Sequence, residues 1–220
     1  MKIVHPYIER QIDFNQNNCY ELIIENSNQF FRLSSDIINQ CNNTDGDFVI
    51  SDYKILDFSK ICLSIYDFYN FNTNTKKISN LINAEVSDIL KNGDFLQEFS
   101  VINKMLIDIN DKIKDELDFT LQSVEDFDYD KFIKFSYFKL EKSGDLLSDM
   151  IDYITVMQKL SDLKVVVFIN ASCVFNEKQI NDIIKQLTYM QLNILFINNN
   201  QKYFLKDIEH IIIDNDLCEI

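Results

Sequence analysis

Lys164-Val165-Val166-Val167-Phe168-Ile169-Asn170 and Asn193-Ile194-Leu195-Phe196-Ile197-Asn198 are two almost continuous apolar runs, each closed by asparagine. A strand that is apolar at every position needs both faces covered, which is the signature of a parallel sheet. Between the two runs, Asn176 and Gln179 stand at capping-box spacing. Ile180, Ile183, Ile184, Leu187 and Met190 then recur at helical intervals. Strand, helix and strand of these lengths make a β-α-β unit, which implies parallel strands joined by a right-handed crossover. Ile211-Ile212-Ile213 is expected to close the sheet.

Working outward, the turn Ser143-Gly144-Asp145 precedes a helix marked by Leu146, Leu147, Met150, Ile151, Ile154, Met157 and Leu160. Near the other end, Ile3-Val4 and Tyr20-Glu21-Leu22-Ile23-Ile24 read as short strands around the polar turn Asn15 to Asn18. Asn26-Ser27-Asn28 offers capping side chains to a helix carrying Phe30, Phe31, Ser34, Ile37, Ile38 and Cys41. Phe48-Val49-Ile50 and Ile61 to Tyr66 read as further strands.

The middle of the chain has a different period. Ile78, Leu81, Ile82, Val86, Ile89 and Leu90 predict an amphipathic helix ended by Asn92-Gly93-Asp94. A longer helix follows, with Phe99, Ile102, Leu106, Ile109, Ile113 and Leu117 at nearly heptad spacing. Such a stripe calls for burial against another long helix, most simply in an antiparallel hairpin across Gly93. A helix end and a strand from Tyr137 to Glu141 are expected before the chain returns to the sheet. The reading is an α/β head made of residues 1–70 and 131–220, with a helical leg of residues 71–130 inserted.

Composition removes several function classes. The 220 residues include 35 Asp+Glu against 21 Lys+Arg, a formal net charge of -14, which argues against nucleic acid wrapping the whole surface. Gly46, Gly93 and Gly144 are the only glycines, too few and too scattered for a phosphate-cradling loop. His5 and His210 are the only histidines, which leaves little for a zinc site or a serine triad. The five cysteines Cys19, Cys41, Cys62, Cys173 and Cys218 are odd in number and show no CxxC pair. They read as small hydrophobes in an intracellular, cytoplasmic protein, and nothing in the sequence links Cys173 to His210 as nucleophile and base. The first fourteen residues do not resemble a signal peptide, and no run reaches the ~18 apolar residues of a membrane span.

The densest carboxylate cluster is Asp115, Glu116, Asp118, Glu125, Asp126, Asp128 and Asp130. Oxygen donors suit hard cations, but an EF-hand register starting at Asp126 meets Lys131 and Tyr137 where Gly and Glu are required. The cluster is therefore an irregular Ca²⁺ or Mg²⁺ site or a solvated acidic loop. No enzyme motif stands out.

Leu163 to Ser172, Phe175-Asn176-Glu177, Ile180 and Leu192 to Ile197 together resemble the C-terminal half of the small CRISPR-associated protein of type II-A systems, the Csn-two family of spacer-acquisition proteins. Asp67-Phe68-Tyr69-Asn70-Phe71-Asn72 resembles that family's sheet-to-arm junction, and Asp115-Glu116-Leu117-Asp118-Phe119 its acidic arm end. Ser143-Gly144-Asp145 and the helix after it resemble the family's return into the head.

The resemblance implies a P-loop-type α/β head without a working phosphate loop, plus a helical leg. It implies Ca²⁺ held by acidic residues, for which Glu116, Asp118, Glu125, Asp126, Asp128 and Asp130 are the candidates. It implies four copies closed into a ring that threads onto ends of double-stranded DNA and slides, without nuclease or ATPase activity. Lys76, Lys77, Lys104, Lys112 and Lys114 are the candidate channel contacts. The implied partners are the CRISPR integrase complex and the RNA-guided effector nuclease. Two alternatives stand beside this: a metal-dependent nuclease, and a degenerate ATPase-like interaction scaffold.

Overall fold

The computed structural model describes residues 1–117, 122, 127–203, 205 and 208–220. Internal packing divides the chain into two units, Met1–Thr73 with Lys142–Ile220, and Asn74–Glu141.

The first unit opens with β1 (Lys2–His5), β2 (Ile8–Asp13), β3 (Cys19–Ile24), α1 (Ser27–Cys41), β4 (Val49–Asp52), β5 (Lys54–Ile55), the short α2 (Phe58–Ile61) and β6 (Cys62–Ile65). The second unit holds α3 (Lys76–Asn92), α4 (Leu96–Asp115) and α5 (Tyr129–Ser136). The chain then returns to the first unit with α6 (Leu146–Leu160), β7 (Val165–Ile169), a 3-10 turn (Ala171–Cys173), α7 (Glu177–Tyr189), β8 (Asn193–Asn198) and β9 (Glu209–Ile213).

Five strands form a wholly parallel sheet in the order β6-β7-β8-β3-β9. The α/β class with a parallel sheet, read from Val165 to Asn198, is therefore what the chain forms. β3 and β7 are buried at every position. Alternate side chains divide between the faces. Tyr20, Leu22, Ile24, Val165, Val167, Ile169, Leu195 and Ile197 join one core with Leu33, Ile37 and Cys41 of α1. That core continues into the antiparallel sheet β2-β1-β4-β5 through Ile3, Ile12 and Ile50, which are paired across its strands. On the other face, Phe168 and Phe196 stack at 5.2 Å. The buried side chains of α6 and α7 on this face include Met150, Ile154, Met157, Ile180, Ile183 and Leu187. Each such fully buried aliphatic or aromatic side chain contributes about 1.5–3 kcal/mol.

Capping follows the sequence signals. Asn176 accepts from Gln179 N–H at 3.0 Å while the Gln179 side chain accepts from Asn176 N–H, a complete capping box. Asp145 caps α6, preceded by Gly144 at φ +82, a conformation that favours glycine.

In the second unit, several expectations give way. α4 ends at Asp115, two residues short of Leu117, the last residue of the stripe. Residues 137–141 form no strand. Tyr137 turns left-handed at φ 43, and the Leu140 peptide is bound on both sides by the Asn74 amide, at 2.8 and 3.0 Å. α5 packs against α3, so residues 131–141 belong with the helical unit rather than with the head, where the sequence boundary put them. α4 buries none of its residues completely. Among the described residues, aromatic rings pack on its first turns, where Phe99 meets Phe127, Tyr129 and Phe132, and Asn103 exchanges two hydrogen bonds with the Phe127 backbone at 2.6 and 3.0 Å.

The end of the chain links the two sheets. Ile213 bridges to Glu219, whose carboxylate accepts from the N–H groups of Glu9 and Arg10 on β2, at 2.7 and 3.1 Å, and pairs with Arg10 Nε at 3.2 Å. β2 is an edge strand, so this carboxylate satisfies donors that the ladder cannot reach. Glu219→Ala is expected to lower stability by about 1.5–3 kcal/mol, measured by urea unfolding, the range for hydrogen bonds to a charged group.

Candidate functional site

Open parallel sheets bind ligands beyond the carboxyl ends of their strands, at the point where the strand order reverses. Here that point lies between β3 and β8, because α1 leaves β3 on one face while α7 enters β8 from the other. A phosphate-binding fold places a glycine loop after the first strand. This chain has only Glu25 and Asn26 between β3 and α1. Asn26 Oδ1 accepts from the N–H groups of Asn28 and Gln29, both at 3.1 Å, so donors that would cradle a phosphate are already engaged. The Glu25 carboxylate, exposed beside them, adds like charge. After β7, Asn170 takes a left-handed conformation at φ 54, and its Oδ1 accepts from Asn199 N–H at 3.3 Å. Cys173 is exposed on the 3-10 turn, whereas the ring nitrogens of His210 engage Glu21 and Leu205. Those two residues do not form a nucleophile–base pair.

The proposed cation ligands lie in the helical unit. Asp118, Glu125 and Asp126 fall outside the described residues. Glu116 is the exposed C-cap of α4. Asp128 is the N-cap of α5, with Oδ1 accepting from Lys131 N–H at 2.9 Å, and Asp130 is exposed in the first turn of that helix. All three offer oxygen, the donor that Ca²⁺ prefers. By themselves these three do not converge: among the described residues, the group whose ligand atoms all lie within 4.8 Å of one another is His5, Asp36 and Asp47.

Sequence reasoning missed that trio, because its members come from β1, α1 and the turn after α1. Nothing in their spacing announces the meeting. His5 Nε2 lies 3.2 Å from Asp36 Oδ2, which also accepts from Asp47 N–H at 2.9 Å. His5 Nδ1 accepts from Tyr7 N–H at 3.2 Å, so the proton of the neutral ring sits on Nε2 and points at Asp36. A metal on Nε2 would require a proton on Nδ1, where an N–H donor already stands. The Arg32 guanidinium, 4.3 Å from the Tyr7 ring centre, lines the same hollow of about 410 Å³. The trio therefore reads as a structural hydrogen-bond cluster. Burial, opposed by Asp36, holds the His5 ring below its usual titration range.

The candidate lysines divide by helix. Lys76 and Lys77 are exposed in the first turn of α3, which holds no acidic residue and where Thr75 Oγ1 accepts from Ile78 N–H at 3.3 Å. Lys104 is exposed on α4 on the side opposite the Phe99-Ile102-Leu106-Ile109-Ile113 stripe, which it shares with Asp108, Asp111 and Asp115, and Lys112 is exposed on the flank of the stripe. Lys114 is half-buried and pairs with Asp111 at 3.2 Å.

The fold and this edge define a class: an α/β head with a parallel sheet, whose phosphate position is filled by its own cap, interrupted by a helical insertion. The family model described as CRISPR-associated protein (Cas_Csn2) matches residues 40–217. The chain belongs to the CRISPR-associated Csn2 family of type II-A systems, and its role is in spacer acquisition. A search of the curated proteins finds no match. Among the described residues, no helix is long and apolar enough to cross a membrane.

The lowered His5 titration has a defined sign. Its contribution to stability is complete above the unfolded value of 6.5 and is lost as the pH falls below that value. Proton NMR is expected to show the His5 ring titrating below 6.5, and His5→Gln to flatten the stability loss just beneath that pH.

Proposed function

We propose that the chain assembles into a calcium-stabilised ring, a tetramer, that threads onto ends of double-stranded DNA and slides along it during spacer acquisition, without catalysing a reaction. The observation that carries this reading is α4. Its heptad-spaced stripe stays open, with Leu106, Ile109 and Ile113 exposed at 37%, 52% and 51%. An apolar stripe of that length on one helix favours burial against an equivalent surface, and a second copy supplies one.

Two further features support it. Lys76 and Lys77 sit where the α3 dipole is positive, a placement that costs a few tenths of a kcal/mol and that a phosphate would offset. Lysine contacts phosphate as a point charge and reads no base, which suits sequence-neutral binding. Lys104, Lys112 and Lys114 are the further proposed contacts. Calcium is proposed on Glu116, Asp118, Glu125, Asp126, Asp128 and Asp130, relieving the mutual repulsion of these carboxylates. With a net charge of -14, DNA binding then depends on both cation and salt. The proposed partners are the integrase complex and the RNA-guided effector nuclease of the same system, in the cytoplasm.

A gel shift decides among the readings. Linear duplex in calcium at low salt is expected to shift and to remain intact in Mg²⁺ or Mn²⁺, while covalently closed circles do not shift. Lys76→Glu with Lys77→Glu is expected to weaken binding to every sequence alike. Equal binding to circles and linear duplex contradicts threading, cleavage supports a nuclease, and no shift at any calcium level supports a scaffold.

A further inference from the structure

The apolar face of α4 is wider than its heptad stripe. At about 100° per residue, Val101, Met105, Ile109, Ile102, Ile113 and Leu106 follow one another around the helix over about 140°. Met105 is the most exposed of them, at 61%. One flank of the stripe is occupied, where Phe99 meets Tyr129 and Phe132 and Asn103 holds the Phe127 backbone. Along the other flank run Glu98, Met105 and Lys112, all exposed. They stand seven residues apart, so they form nearly one line, drifting about 20° at each step. Glu98 lies in the first turn of α4 and Lys112 in the last. Lys114 pairs with Asp111 within the helix, whereas neither Glu98 nor Lys112 has an ion-pair partner among the described residues. The line therefore ends in an acid on one side of Met105 and a base on the other, at equal distances.

We infer that α4 pairs antiparallel with α4 of a second copy, about a two-fold axis at Met105, so that Glu98 of each copy meets Lys112 of the other. The inference rests on the proposed ring and names one of its contacts. A two-fold axis sets residues equally far before and after it opposite each other. Met105 then faces its own counterpart, and both ends of the line find opposite charge. Ile102 and Ile109, nearly equidistant from Met105, pack on each other across the axis. A parallel pair in register instead brings Glu98 level with Glu98 and Lys112 level with Lys112. Antiparallel pairing also opposes the two helix dipoles.

The two kinds of contact do different things. Burial of Met105, Ile109 and their neighbours supplies the affinity, whereas exposed ion pairs contribute little and chiefly set direction and register. Lys104 and Asp111 lie on the far side of the helix and stay hydrated. A two-fold contact uses α4 once in each copy, so it joins copies two by two. A ring of four then requires a second, different contact outside α4. Along the helix, Glu98 and Lys112 are about 21 Å apart, and the two copies of Glu98 are separated by the same distance in the antiparallel pair.

The test uses the full chain with the exposed Cys173 and Cys218 replaced by serine, which leaves only buried native thiols. Met105→Cys is treated in calcium with diamide, which takes up the two hydrogens lost as the S–S bond forms. A two-chain band is expected on a non-reducing denaturing gel, while Glu98→Cys and Lys104→Cys remain single chains. Sedimentation gives a second readout. Glu98→Lys sets lysine against lysine at both ends and is expected to weaken self-association by about tenfold, and adding Lys112→Glu is expected to restore it. The double reversal still opposes the helix dipole, so folding stability does not recover with it, and recovery of association alone marks a contact between copies. A four-chain mass with no M105C band and no effect of E98K overturns the inference and leaves the ring standing. An E98C band as strong as that of M105C shows a parallel pair and also overturns it. An M105C band with a mass that never exceeds two chains supports the inference and removes the ring.

Discussion

Strands buried on both faces set the terms for the rest of the first unit. β3 and β7 present no exposed position, and β8 only a half-buried one at Asn193. Such strands cannot border water, so the chain must cover one face with α1 and the antiparallel sheet, and the other with α6 and α7. The same constraint governs the polar residues inside. Glu21, Asn198 and Ser172 are buried at 2–3% exposure and hydrogen-bond in a chain, Ser172 Oγ donating to Asn198 Oδ1 and Asn198 Nδ2 to Glu21 Oε1.

The covered sheet leaves its carboxyl-terminal edge as the place where related architectures bind phosphates. In this chain the edge has been put to other use. Two residues replace the loop after β3, the Asn26 side chain takes the helix donors, and Glu25 repels an anion. The head keeps an open parallel sheet, and at the end of β3 the Asn26 side chain caps the following helix. The proposed role in holding DNA accordingly rests on the helical insertion, whose exposed apolar stripe and first-turn lysines are otherwise unfavourable features.

How much of this was legible in sequence depended on how local the cause was. The runs Val165 to Ile169 and Ile194 to Ile197 announced a parallel sheet because double-sided burial removes every polar residue from a strand. Asn176 with Gln179 announced the start of α7 because both halves of the box lie within one turn. α4 misled because its heptad stripe signals a need for burial without naming the partner, and Leu106, Ile109 and Ile113 stay exposed while Phe99 is covered by Tyr129 and Phe132. Leu140 misled for a related reason: its backbone is satisfied by Asn74, far away in sequence. The acidic candidates were visible as a charge run, but convergence is a three-dimensional property. Among the described residues, the trio that converges, His5, Asp36 and Asp47, leaves no trace in spacing.

The proposed ring requires that the open face of α4 be covered by further copies of the chain when the acidic residues hold calcium. Light-scattering mass of the purified protein, with calcium and then with excess chelator, addresses this most directly. The prediction is about four times the 26.0 kDa chain mass in calcium, falling when the cation is withdrawn. A single-chain mass in both buffers would contradict it.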